Sequence, residues 1–259
     1  MGCSFLGSSL FSIKIPEVEI MSASFIEQMK DFRKGTEAVD LSYTMEENMP
    51  SWPTHARYGS VVYESYDFGA AALHSRVTFS EHSGTHIDAP RHFIRNGTSV
   101  DRLPATTVMG RGVTIDATFV KPCGLLTLDA IKAFEKANGP IEPGDIVMIR
   151  FGWDKKYRLQ PDSKDFLENW PGLSAEGAEY FLSKKVAAVG CDALSLDAFD
   201  AADSVCHKIL LGHSVPILEN IRNLSKLPAF SYVIGLPLKF LNGSGSPIRL
   251  VAFIESSKG

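Results

Sequence analysis

Three of the seven histidines of this 259-residue chain fall within HSGTHIDAPRH, residues 82–92, with an aspartate between them. His82, His86, Asp88 and His92 stand at even spacings. On an extended segment such residues face one side, so His82, His86 and Asp88 can converge on one cleft. Gly84 and Pro90 disfavour a helix here, and the preceding ALHSRVTFS alternates as a strand. Two imidazoles and a carboxylate form a ligand set for zinc or manganese, and three protein ligands leave a position open for water. Pro90 turns the chain, which frees His92 from the ligand set and makes it a candidate acid or base. Clustered imidazoles without a metal would repel on protonation and lose hydration when buried neutral, so metal binding is the better reading. His55 and His74, isolated in the sequence, read by position alone as ordinary hydrogen-bonded or half-exposed histidines.

A second concentration lies in CHKILLGHSVPILEN, residues 206–220. Leu210, Leu211, Val215 and Ile217 read as core. Glu219, directly after an apolar run, needs a partner if it is buried. With His207 and His213 nearby, His207 and Glu219 are candidates to complete a second metal position.

These residues need a scaffold, and the remaining pattern supplies one. Apolar, β-rich runs at 71–80, 112–119, 145–151, 186–191, 230–236 and 248–254 read as strands. Two helices are expected between them: one capped by Thr127 and stopped at Gly139–Pro140, the other capped by Ser174. The irregular alternation predicts an α/β fold, a mixed sheet with flanking helices. No repeat, linker or low-complexity tract follows residue 40, so residues 1–39 are expected to be an N-terminal extension and 40–259 a single domain. No nucleotide-binding glycine pattern is present.

Composition narrows the partners. A net charge of −4, from 26 basic and 30 acidic residues, gives no basic footprint for nucleic acid or an anionic membrane. No stretch approaches the roughly 18 apolar residues of a membrane span. MGCSFLGSSLFSI lacks the basic start of a secretory signal, and Leu6 stands where the myristoylation pattern wants Ser or Thr. Met21 is an alternative start. Four scattered cysteines fit a reducing compartment, and a cytoplasmic location is the default expectation.

HSGTHIDAPRHF carries every fixed position of the HxGTHxDxPxH signature, and on it the chain resembles the cyclase-type metal-dependent hydrolases, which include bacterial kynurenine formamidase and isatin hydrolase. PSWP (50–53), EPGDIVMIRFGWD (142–154), VGCDALSLD (189–197) and HKILLGHSVPILEN (207–220) extend the likeness over about residues 40–256. The resemblance implies a swivelling β/β/α-type fold and a homodimer or homotetramer. It implies one zinc on His82, His86 and Asp88, and a second, bridged by Asp88, on His207 and Glu219. It makes His92 the proton donor and acceptor and Trp52 a substrate contact. Some relatives use manganese and fill one position. The chain departs from the formamidases at WPTH, where they read WPGD, so Thr54 and His55 stand in the substrate-facing loop. His213 and Ser214 also depart from the usual pattern, and His55 and His213 join the substrate-binding candidates.

The expected reaction is hydrolysis of an aryl-linked amide, N-formylkynurenine first, with isatin-like ring opening of a cyclic amide or lactone as the alternative. Trp52 would stack on the aryl ring. Phe93 could narrow the pocket, although for it a core position is the stronger expectation. A non-catalytic metal- or ligand-binding protein is the reading from another class, and the intact acid/base and ligand positions speak against it.

Overall fold

The computed structural model of the chain describes residues 23–256. The readings of Gly2, Leu6 and Met21 lie outside the described residues. Contacts divide the described residues into two compact units, residues 23–36 with Ser256, and residues 37–255. The first holds helix α1 (Ala23–Gly35), which closes on Arg33 and Lys34, cations suited to a helix carboxyl end.

From there the chain runs through β1 (Thr36–Asp40), β2 (Gly59–Glu64), β3 (His74–Thr78), β4 (His86–Asp88) and β5 (Met109–Asp116). It continues through β6 (Leu125–Leu126), α2 (Leu128–Asn138), β7 (Ile146–Arg150), β8 (Gly172–Leu173), α3 (Ala175–Ser183) and β9 (Ala188–Cys191). It ends with α4 (Val205–Gly212), β10 (Ile217–Glu219), β11 (Phe230–Pro237) and β12 (Gly245–Glu255).

The main sheet has eight strands in the order β1-β12-β11-β5-β7-β9-β10-β4, and β12 pairs a second time with β4. That second pairing closes seven strands into a barrel. β5, β7, β9 and β10 run parallel to one another. The connections α2, α3 and α4 allow this, because parallel strands need a long crossover. The β4–β10, β4–β12, β5–β11 and β11–β12 pairs are antiparallel, so the expected mixed α/β sheet with flanking helices is present.

β7 shows why its sequence, IVMI, is apolar throughout. Val147 and Ile149 pack with Ile131 of α2, Phe181 of α3 and Leu210 of α4. Ile146 and Met148, on the other face, pack with Ile87, Leu218, Val233 and Leu250. A strand buried on both faces loses the polar half of its alternation. Thr127 and Ser174 cap α2 and α3 as expected, their hydroxyls accepting from Ala130 N–H and Gly177 N–H.

Two local expectations change. The run 71–80 contracts to β3, which pairs only with β2 in a hairpin exposed on both faces. The extended reading of 82–88 holds only for His86–Asp88, because Gly84 turns the backbone at φ +60°. No helix among the described residues is long and apolar enough to cross a membrane.

Candidate metal centre and active site

β4 is short, yet its alternation does the first part of the positioning. Ile87 points into the core, and His86 and Asp88 therefore share the other face. The antiparallel register sets His86 directly opposite Glu219 of β10. His207 enters from α4, and His82 arrives from before the turn at Gly84 rather than along a strand.

The five side chains meet. His82 Nδ1 lies 2.7 Å and His86 Nε2 3.3 Å from Asp88 Oδ1. His207 Nε2 lies 3.4 Å from Asp88 Oδ2 and 3.2 Å from Glu219 Oε1, and His86 Nε2 is 3.5 Å from Glu219 Oε2. No side chain of the set is more than 8% exposed. Two triads result, His82–His86–Asp88 and Asp88–His207–Glu219, each with its donor atoms within 4.8 Å of one another, and Asp88 belongs to both.

A second layer of contacts aims these atoms. His86 Nδ1–H donates to the Gly84 carbonyl at 2.9 Å, leaving Nε2 as the lone-pair nitrogen toward the site. His207 Nδ1–H donates to Asp197 at 2.6 Å with the same consequence. For His82 the pattern is reversed: Nε2 meets Ser244 Oγ at 2.9 Å, and the Ser244 hydroxyl donates onward to Glu81 at 2.6 Å. His82 therefore presents Nδ1. Leu196 N–H donates to Glu219 Oε1 at 2.9 Å. Ring nitrogens tied to a carbonyl, carboxylate or hydroxyl on the far side are the usual dress of metal-ligating histidines.

The electrostatics agree. Burial disfavours a charged His86, but the adjacent Asp88 and Glu219 overcome this and raise its pKa. Burial likewise opposes charge on His207, and Asp197, Asp88 and Glu219 hold its pKa well above the usual value. Burial would raise Asp88, yet the imidazoles around it hold its carboxyl well below the ordinary range. A buried, mutually facing set of imidazole nitrogens and carboxylates that attracts positive charge this strongly fits a divalent cation.

His92 stands just outside the set. Its ring stacks on His82 at 3.9 Å between centroids, with Phe93 edge-on at 4.8 Å. Burial, with the neighbouring histidines, pushes its pKa down to about 4, so the ring is neutral at pH 7. A cavity of about 250 Å³ opens in front of these groups, lined by Trp52, His55, His92 and Phe93 among others. Trp52 meets Trp170 edge-on at 6.0 Å, and Trp170 meets Phe199 at 4.9 Å, which extends an aromatic wall outward. His55 sits 5.8 Å from His82, with burial lowering its pKa.

Two sequence expectations are corrected. Phe93 is 37% exposed and lines the cavity instead of filling the core. His213 lies outside the cavity: its Nδ1–H donates to the Ile209 carbonyl at 2.9 Å and closes α4, with Ser214 turning the chain at φ +63°. Sequence reasoning also passed over Asp197, Ser244 and Glu81. Asp197 closes the VGCDALSLD stretch six residues beyond β9, and no local pattern ties it to His207. Nothing local marked Ser244 or Glu81.

The Cyclase family model matches residues 39–198. The chain is 35% identical over 199 residues to an isatin hydrolase from Roseibium aggregatum, covering 70% of this chain and 74% of that protein. It is 28% identical over 219 residues to a kynurenine formamidase from Bacillus cereus, covering 84% of this chain and 98% of that one. An isatin hydrolase solved with the product analogue thioisatinate superposes with a TM-score of 0.84 at 30% identity, over 91% of this chain and all of the other. By the matched span, the signature and the fold, the chain belongs to the Cyclase family.

Proposed function

We propose that the chain is a metal-dependent hydrolase of an aryl-linked amide. The observation that carries the reading is a neutral His92 stacked against the converged ligand set, at the wall of an aromatic-lined cavity. His82, His86, Asp88, His207 and Glu219 would hold one or two zinc or manganese ions, and the shared Asp88 favours two. A divalent cation bound there would polarise a carbonyl and lower the pKa of water toward roughly 7.

The chain's own residues do the rest. His92, neutral at working pH, accepts a proton from the attacking water and returns it to the departing nitrogen. Such general acid–base help contributes about 10²–10⁴-fold. Trp52 and Phe93 flank the aryl ring and keep its amide toward the carboxylates. His55 stands beside His82 at the cavity wall, where it can contact the polar end of a substrate.

N-formylkynurenine is the first substrate. A cyclic amide of the isatin type is the second reading, favoured by the higher identity to the isatin hydrolase. The closed sheet with its flanking helices supports the swivelling β/β/α-type description. Free Cys123, Cys191 and Cys206 support a reducing, cytoplasmic setting. The exposed Val61, Tyr63, Phe68 and Val77 of the β2–β3 hairpin region support a homo-oligomer, since a lone hairpin is marginal in water.

The deciding experiment is hydrolysis of N-formylkynurenine and isatin, side by side, by enzyme stripped with a chelator and reloaded with zinc or manganese, its mass checked by light scattering. Metal-restored turnover of one substrate is expected. Verified metal uptake with neither substrate turned over would sink both substrate readings and leave a different cyclic substrate or a binding protein.

A further inference from the structure

The cavity in front of the ligand set has two unlike sides. Around His82 stand the rings of His55 and His92, 5.8 and 3.9 Å from it between centroids. Toward His207 and Glu219 stand Ser195 and Ser204, which neither hold metal nor move the proton.

Ser204 precedes α4, where a serine hydroxyl ordinarily accepts from the first backbone N–H groups of the helix. Here it makes no such bond. The Asp197 carboxylate takes its place, accepting from Cys206 and His207 N–H at 2.8 and 3.2 Å. The Ser204 hydroxyl is thereby released, about one turn before His207. Ser195 is fixed from the other direction. Its neighbour Leu196 donates N–H to Glu219 Oε1 at 2.9 Å, and its own carbonyl accepts the Cys191 thiol at 3.4 Å. Both serines are half-buried, and neither hydroxyl has a hydrogen-bond partner among the described residues.

Two hydroxyls so placed can each turn a hydrogen toward a bound acceptor. No lysine or arginine among the described residues lines the cavity, so the acceptor they suit is a neutral one. N-formylkynurenine and isatin share such a group: each carries, besides its amide, a carbonyl on the ring carbon ortho to the nitrogen. A carbonyl oxygen has two lone pairs, one for each hydroxyl. Phe93 bridges the two sides, its ring 4.8 Å from His92 and 4.7 Å from His207. An aryl ring lying on Phe93 would turn its nitrogen to His92 and its ortho carbonyl to the serines.

We propose, on the amidohydrolase reading, that Ser195 and Ser204 determine specificity: their hydroxyls donate to a carbonyl ortho to the scissile amide, and the substrates are aryl amides that bear one.

The test uses metal-loaded, full-length protein and two isomers, 2-acetylformanilide and 4-acetylformanilide. They share an electron-withdrawing acetyl group and differ in where its carbonyl stands. Relative to the ratio of their rates with free hydroxide, wild type is expected to favour the 2-isomer in kcat/KM by about tenfold, the worth of two neutral hydrogen bonds. Ser195→Ala and Ser204→Ala should each cut that preference several-fold, and Ser204→Thr, which keeps a hydroxyl, should retain it. Melting curves and metal content check that the variants fold. The amine products, 2- and 4-aminoacetophenone, are titrated calorimetrically into the same proteins, with the same order of affinities expected. A wild type without preference, or a preference that survives both alanine substitutions together in folded protein, would overturn the proposal. If neither isomer is turned over, the amidohydrolase reading fails by itself, and the amine titration still decides whether the hydroxyls recognise the ortho carbonyl.

Discussion

Asp197 shows how much a single side chain can decide. Its carboxylate accepts from His207 Nδ1 at 2.6 Å and also from the backbone N–H groups of Cys206 and His207 at the start of α4. Asp197→Asn keeps a carbonyl for the helix but turns an NH₂ toward His207. The imidazole must then carry its proton on Nε2, the nitrogen aimed at Asp88 and Glu219. Metal affinity is expected to fall about 10–100-fold, as for other lost outer partners, with the fold retained. His92→Ala makes the contrasting case: full metal content with turnover down about 10²–10⁴-fold. Chelator competition and kcat, measured on both variants, separate the roles; a His92→Ala enzyme with normal turnover removes His92 from the chemistry. At this scale the sequence was informative where ligands are neighbours. His82, His86 and Asp88 declared themselves by spacing. The sequence sets His207 apart for metal but leaves His213 beside the substrate, because Ser204 provides no side-chain cap to mark α4 as a helix. Six residues along a helix at 3.6 per turn lie about two-thirds of a turn apart, so the two rings face different ways.

The strands that hold the site are among the shortest in the described residues. β4 and β10 have three residues each, too few for alternation to register in sequence, whereas the run at 145–151 resolved into β7 with little adjustment. What makes β4 dependable is pairing on both edges, with β10 and with β12. Gly245 of β12 faces Asp88 in that register, and a Cβ there would fall 2.5 Å from His82 Cε1 and 2.7 Å from the Ile87 carbonyl oxygen. The carbonyl belongs to the ladder and cannot yield cheaply, so Gly245→Ala must swing the His82 ring or part the strands. The expected result is a destabilisation of about 1–3 kcal/mol, typical of overpacking, together with weaker metal binding. Thermal melts and a metal titration check it; a variant unchanged in both would show that His82 has more room than its neighbours suggest.

At the scale of the whole molecule, the joint between β7 and β9 is the feature that local sequence reading described least well. Asp192, a charged residue directly after β9, is fully buried. Its partners lie about 40 residues back: Phe151, Gly152 and Trp153 donate their backbone N–H groups to its carboxylate at 2.8, 2.7 and 3.1 Å. Contacts over such sequence distances leave no periodic trace. Burial raises the Asp192 pKa from 3.8 to about 7, with the charge of Asp154 adding to it, against the three N–H groups that favour the anion. The consequence for stability has a definite sign. Below about pH 4 the carboxyl is protonated in both the folded and unfolded chain, and its stabilising contribution is complete. Between about 4 and 7 the unfolded chain releases the proton while the folded one keeps it, so stability drains away as pH rises. Above about 7 both forms are ionised and the loss is finished. A shift of roughly three units bounds the change at about 4 kcal/mol. Asp192→Asn cannot titrate, so the lead of wild type over this variant in urea denaturation should be larger at pH 5 than at pH 8. A lead that is constant, or that grows toward pH 8, would mean that the three N–H donors win over burial and that Asp192 is held as a carboxylate.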